Sequence, residues 1–257
     1  MRKLYFIKKY FQHQLRAASA SSIENQSVKD TITNIIKRDK RFYIFSVIES
    51  LRAQMLLSSD SIHVEDYGTG ISGNRKVKSI ATKSLKSAKH GQMLFRLVNH
   101  LQAKTILELG TSLGITTLYL SKVSENSRVI TLEGSYEIAN IALKNFRRLK
   151  ANNIELVQGD FKNTLPEALA KLNLLDLCFI DGNHSEKPTL DYFNQVVDKC
   201  NEAAVIVIDD IHWSKEMTGA WRKIQDHSKA WVSVELFNLG MVFLKPGTRK
   251  EYYKIRC

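Results

Sequence analysis

Thr105-Ile106-Leu107-Glu108-Leu109-Gly110-Thr111-Ser112-Leu113-Gly114-Ile115-Thr116 is the stretch that decides the fold of this 257-residue chain. A Leu-rich, β-branched run, TILEL (105–109), ends on a glycine turn, and GITTLYLSKV follows at helical spacing. Strand, glycine loop and helix in that order open a parallel α/β sheet, whose ligands bind beyond the carboxyl ends of the strands. Glycines there let the backbone approach a ligand, and the helix N–H groups donate to its polar atoms.

Outward from this loop the pattern repeats. RVITLE (128–133), IELVQ (154–158), LLDLCFI (174–180) and AAVIVID (203–209) read as strands buried on both faces, with periodic helical segments between them. WVSVELF (231–237) and MVFLK (241–245) flank Gly240 as a terminal antiparallel hairpin. The expected fold is therefore α/β, a doubly wound, mostly parallel, seven-stranded Rossmann-like sheet. Residues 28–57 read as a helical region with Phe42, Phe45, Ile48 and Met55 toward a core, residues 58–86 as a long loop, and Ala88–Leu101 as a helix. The domain expectation is a basic helical and loop extension or lid over 1–86, followed by a ligand-binding domain over 87–257. No internal repeat is present.

The charge supports that division. The chain holds 38 Lys+Arg and 26 Asp+Glu, a net +12; residues 1–104 carry 19 basic and 7 acidic side chains, and the remainder carries 19 of each. A basic segment attracts nucleic acid, an anionic membrane face or an acidic substrate, or is simply a solvated helical surface. No zinc finger, RNP motif or GXXG loop accompanies it. The hydrophobic fraction of 44% excludes a disordered chain, and no apolar run approaches the ~20 residues of a membrane span. Lys8 and Lys9 interrupt the apolar N-terminal stretch that a signal peptide needs. Cys178, Cys200 and Cys257 are an odd number at no ligand-like spacing. The expectation is a soluble, cytoplasmic protein.

The spacing E-x-G-x-x-x-G, in place of G-x-G-x-x-G, disfavours a dinucleotide pyrophosphate. Glu108 before the first glycine suits a ligand with positive charge, and S-adenosylmethionine has an ammonium and a sulfonium but no phosphate. Glu108, Gly110, Thr111, Ser112, Gly114 and Thr116 are the loop's candidate cofactor contacts. Glu133, closing the second strand with Gly134 and Ser135, is placed to take both ribose hydroxyls. Gly159 and Asp160 end the third strand, where Asp160 either accepts from the adenine amino group or caps the next helix.

The fourth strand runs into Asp181-Gly182-Asn183-His184 and the fifth into Asp209-Asp210-Ile211-His212-Trp213. Three converging carboxylates repel unless a cation sits among them. Asp181, Asp209 and Asp210 are hard oxygen donors with no Cys, a set suited to Mg²⁺ or a similar divalent ion. Such an ion could hold a substrate hydroxyl and lower its pKa. His184 is placed to remove the hydroxyl proton at neutral pH, with Asp181 beside it, or is a loop histidine. His212 and Trp213 are candidate lining for the acceptor. The glycine-rich DYGTGISG (66–73) lacks a preceding strand and a following helix, and reads as a surface loop or a mobile lid.

These residues resemble the class I S-adenosylmethionine-dependent methyltransferases, and among them the metal-dependent O-methyltransferases of the catechol and caffeoyl-CoA type, over about residues 87–245. Ala88-Lys89-His90-Gly91-Gln92 resembles that group's A-K-G-Q segment, and Glu108-Leu109-Gly110 through Gly114-Ile115-Thr116 its E-[LI]-G-x-x-x-G-[YF]-S loop. The resemblance implies Glu133 as the ribose acid and Asp181 and Asp209 as metal ligands. Asp210 stands where the group has Asn, and His184 where the catechol enzymes have a Lys as base. The first ~85 residues match nothing in the catechol group. The implied function is methylation of a small hydroxylated acceptor. Two other readings stay open: a tRNA base-hydroxyl methyltransferase gripping phosphates with the basic segment, and a non-catalytic cofactor-binding protein. A homodimer is compatible with either.

Overall fold

Apolar runs become strands, nearly all of whose positions are buried except in IELVQ (154–158), which is only part-buried, and the periodic segments between them become helices, in a computed structural model that describes residues 2–37, 42–65 and 72–257. Along the chain these are α1 (Arg2–Arg16), α2 (Gln26–Ile36), α3 (Tyr43–Leu57), β1 (Ser61–Val64), β2 (Gly73–Lys76), α4 (Val77–Ser84), α5 (Ala88–Leu101), β3 (Thr105–Leu109), α6 (Ile115–Ser121) and β4 (Arg128–Glu133). They continue as α7 (Tyr136–Arg148), β5 (Ile154–Gln158), α8 (Phe161–Ala170), β6 (Leu175–Ile180), α9 (Glu186–Val197), β7 (Cys200–Ile208), α10 (Lys215–Asp226), β8 (Val232–Glu235), β9 (Gly240–Phe243) and β10 (Glu251–Lys254). Eight of the ten strands belong to one mostly parallel sheet. The chain divides into two units, residues 37–171 and residues 1–36 with 172–257.

In the 37–171 unit, β3, β4 and β5 run parallel with Leu109 opposite Leu132 and Glu133 opposite Gln158, so the three carboxyl ends lie side by side. Phe45, Ile48 and Leu51 of α3 join Phe95, Leu118, Tyr119 and Phe146 in one core. The Tyr119 hydroxyl donates to Glu49 Oε1 at 2.8 Å, and burial together with that carboxylate pushes the phenol up. The sequence predicts a loop over 58–86, whereas β1 and β2 pair as an antiparallel hairpin and α4 follows, Val64, Val77 and Ile80 packing on Leu113. Strands of four residues, one reading GNRK, are too short and too polar to show alternation. The expected lid or loop at 66–73 falls largely outside the described residues, which resume at Ser72.

In the other unit the strand order is β10-β8-β9-β7-β6. β6 and β7 are parallel, β7 and β9 antiparallel, β9 and β8 antiparallel, and β8 and β10 parallel. The expected terminal hairpin is present, but β10 adds an eighth strand to the seven predicted. Glu251–Lys254 reads as a polar segment because only every second residue is part-buried at this edge. The expected single helical region 28–57 is two helices, one in each unit. Residues 1–36 pack with the C-terminal strands: Ala18 bridges Ile255 in parallel, its N–H donating to Lys254 O at 2.9 Å. Among the described residues no helix is long and apolar enough to cross a membrane.

Candidate functional site

The glycine loop lies in the 37–171 unit and is held from behind. Gly110 and Thr111 N–H both donate to Leu132 O at 3.0 Å, so the turn hangs on the end of β4. Gly110 has φ +103° and Gly114 φ +79°, a region that side-chain-bearing residues enter at a cost. A Cβ at Gly114 would also stand 2.5 Å from the Phe146 ring. Glu108 is fully buried and accepts from Thr131 Oγ1 at 2.7 Å and from Thr117 Oγ1, while Thr111 and Thr131 hydroxyls meet at 2.6 Å. Thr116 is buried on α6.

Glu133 clasps this loop. Its Oε2 accepts from Ser112 N–H at 2.8 Å and its Oε1 from Ser135 N–H at 2.9 Å. Each carboxylate oxygen retains acceptor capacity for a further donor, which is the chemistry a pair of ribose hydroxyls requires. Gly134 lies between Glu133 and Ser135 in the turn into α7. Gly159 (φ +136°) closes β5, and Asp160 Oδ1 accepts from Lys162 N–H at 2.9 Å as the N-cap of α8. Of the two roles open to Asp160 in the sequence, capping is the one this geometry uses. The donor set of the loop fits a nucleoside with vicinal hydroxyls.

The acidic strand ends belong to the other unit. Asp209 N–H donates to Ile180 O at 3.0 Å, binding the ends of β6 and β7 together. His184 Nε2 lies 3.8 Å from Asp181 Oδ1 and 3.9 Å from Asp210 Oδ2, so one imidazole faces two carboxylates. Asp210 takes φ +52° and its carbonyl accepts from Trp213 N–H at 2.8 Å; the N-cap of α10 is Ser214, not Asp210. Trp213 is 37% exposed, with its ring 6.3 Å from that of His184. Asp209 is buried. Among the described residues no group of three or more His, Cys, Asp or Glu is gathered as a metal site.

His212 is not acceptor lining. It is 4% exposed, its Nε2 is 2.9 Å from Glu235 Oε1 and its Nδ1 3.2 Å from Thr218 Oγ1. The same Glu235 oxygen meets His13 Nδ1 of α1 at 2.9 Å and Lys254 Nζ at 3.3 Å, and Tyr5 donates its hydroxyl to Thr218 Oγ1 at 2.8 Å. Burial pushes Glu235 up, but hydrogen bonds from the two histidines and the charges of His212 and Lys254 outweigh it and hold the carboxyl well below its usual range. Helix α1 is thereby tied to the segment bearing Asp210 and Trp213. Thr117, Thr131, His13 and Glu235 escape the sequence reading. The one signal for Glu235 is a lone charge inside the apolar run WVSVELF, which needs a buried partner.

Residues 107–211 match the model of a methyltransferase domain. A catechol O-methyltransferase of Mycobacterium tuberculosis is 32% identical over 127 residues, 49% of this chain and 56% of the relative. One from Niastella koreensis is 30% identical over 128 residues, 49% and 57% respectively. The chain thus spans about half the length of the curated relatives it matches. Among solved structures, the Bacillus cereus O-methyltransferase in complex with SAH superposes with a TM-score of 0.58 at 20% identity, covering 80% of this chain and 93% of that one. An SAH-bound methyltransferase of Podospora anserina gives 0.62 at 13% identity, covering 87% and 98%. Residues 107–211 thus carry the match to a methyltransferase domain, and the solved methyltransferases share the fold. The curated relatives over the matched half of the chain are catechol O-methyltransferases.

Proposed function

We propose that this chain transfers a methyl group from S-adenosylmethionine to the oxygen of a small hydroxylated acceptor. The observation that supports this best is the Glu133 carboxylate, which accepts one backbone N–H on each oxygen at the carboxyl end of β4, the chemistry that a pair of ribose hydroxyls requires. S-adenosylmethionine supplies an electrophilic methyl group on a positively charged sulfur. Gly110 and Gly114 give the loop its close approach, and Glu108 braces it through Thr117 and Thr131.

The acceptor O–H must lose its proton as the new C–O bond forms and the C–S bond breaks. His184 Nε2 takes that proton, and the negative charge of Asp181 and Asp210 favours the imidazolium that results. Trp213 offers an apolar face beside the base for the acceptor's carbon skeleton. The relatives' names point to catechol-like acceptors. A divalent ion, if one binds, has Asp181, Asp209 and Asp210 as its candidate ligands.

Titration of the full chain with S-adenosylmethionine, followed by a methyl-transfer screen over phenolic and catecholic acceptors with and without chelator, tests the reading. Heat of binding and transfer to an oxygen are expected. No binding at millimolar donor, or transfer to nitrogen or carbon only, overturns it.

A further inference from the structure

Helix α1, RKLYFIKKYFQHQLR, is amphipathic twice over. One side is spent on the protein: His13 is buried against Glu235, and Phe6 packs edge-on to Phe237 at 5.1 Å. The opposite side carries Leu4, Ile7, Phe11 and Leu15, which are 74%, 51%, 62% and 86% exposed. At 100° per residue these four fall within an arc of about 80°, a stripe roughly 16 Å long. Exposed apolar residues scattered singly need no explanation, but a continuous helical stripe does.

The charge around the stripe selects what covers it. Among the described side chains of α1, Lys8 stands exposed at the edge of the stripe, while Lys9 and Arg16 lie toward the protein side, and the helix holds no acidic residue. Lys9 has Arg222 and Lys254, and also Glu235, among its charged neighbours. A second copy of this face would set cations against cations across a two-fold axis. Nucleic acid would satisfy the cations but leave Leu4, Ile7 and Leu15 in water. An anionic bilayer satisfies both at once, taking apolar side chains below its headgroups and cations at their level.

We propose that α1 docks this protein, peripherally and reversibly, on the surface of a membrane containing anionic lipid. The contact is independent of the methyl-transfer reading. A helix already folded and anchored by His13 and Tyr5 avoids the ordering cost that a free amphipathic peptide meets on binding.

Co-sedimentation of the full chain with vesicles of phosphatidylcholine containing about 30% phosphatidylglycerol tests this, against pure phosphatidylcholine vesicles, at about 50 mM and about 500 mM salt. Expected are binding to the anionic vesicles, weakening with salt, and little binding to the neutral ones. Ile7→Glu and Phe11→Glu should each lower the partition coefficient by ~10-fold or more, with unchanged thermal unfolding and unchanged S-adenosylmethionine affinity. In Phe11→Trp the added indole emission, read against the parent protein, should shift to the blue when anionic vesicles are present. Absence of binding at the lower salt, equal binding by Phe11→Glu, or an unshifted emission in Phe11→Trp overturns the proposal. So does concentration-dependent dimerisation abolished by Phe11→Glu in a chain that ignores vesicles.

Discussion

The backbone N–H of Ser112 donates to Glu133 Oε2 at 2.8 Å across 21 residues of sequence. That bond fixes the glycine loop after β3 against the tip of β4, and the Ser135 N–H on Oε1 completes the clasp. One carboxylate therefore shapes the loop and presents the lone pairs a ribose would use.

Glu133→Ala removes both functions. Affinity for S-adenosylmethionine, read by calorimetry, should fall ~10–100-fold, the range of a hydrogen bond to a charged group. Because Glu133 is only part-buried, thermal unfolding should shift little. Intact affinity would detach the β4 tip from cofactor binding.

His184→Ala should lower kcat by ~10²–10⁴ while leaving donor affinity within a few-fold. The slope of kcat against pH on the acidic side should flatten as well, since the proton acceptor is gone. A loss of only a few-fold would reduce His184 to a loop residue. Asp181→Asn and chelator treatment separate the accompanying possibilities: if the carboxylate acts on the imidazole alone, the substitution slows turnover and the chelator does not.

Glu235→Gln should destabilise the fold by about 3–5 kcal/mol, because His13 and His212 then face a neutral amide in a buried site. The sign with pH follows from the depressed carboxyl. The folded state binds this proton less readily than the unfolded chain, so the wild-type advantage is full at neutral pH. It shrinks as pH falls below the ~4.3 of an unfolded Glu. Urea unfolding of both proteins at several pH values measures the difference.

The three cysteines should react at very different rates. Cys178 is buried, Cys257 is exposed, and burial foremost, then the charge of Asp176, pushes the Cys200 thiol up to about 12 against an opposing Lys229. Thiolate is the reactive form. A maleimide at about pH 8 should label Cys257 rapidly in the native protein and the other two only after denaturation, as mass spectrometry of the labelled peptides would show.

Much of this architecture is legible in the residues. β3 and β4 begin and end where TILEL and RVITLE do, because strands buried on both faces leave uninterrupted apolar runs. That Glu108, Gly110 and Glu133 gather about one loop is likewise readable, because the elements that carry them are contiguous in sequence. What stays hidden depends on distant partners. β10 is polar and part-exposed, and pairs in parallel with β8 although β9 lies between the two in sequence. The His13–Glu235 contact spans 222 residues, which no local pattern encodes. His212 shows the same limit: beside Asp209 and Asp210 it reads as a site residue, while Glu235 and Thr218 turn it inward.

The bridge from Ala18 to Ile255 bears on how the protein can be trimmed. The charge shift along the sequence suggests starting an expressed fragment near residue 87, but such a fragment would strip the cover from the free side of β10 and leave Glu235 and His212 beside an open gap. Unpaired strand edges recruit other chains, so the shortened version should come out of the cell as inclusion bodies. For crystallography or assay work, the smallest usable protein keeps its first helix.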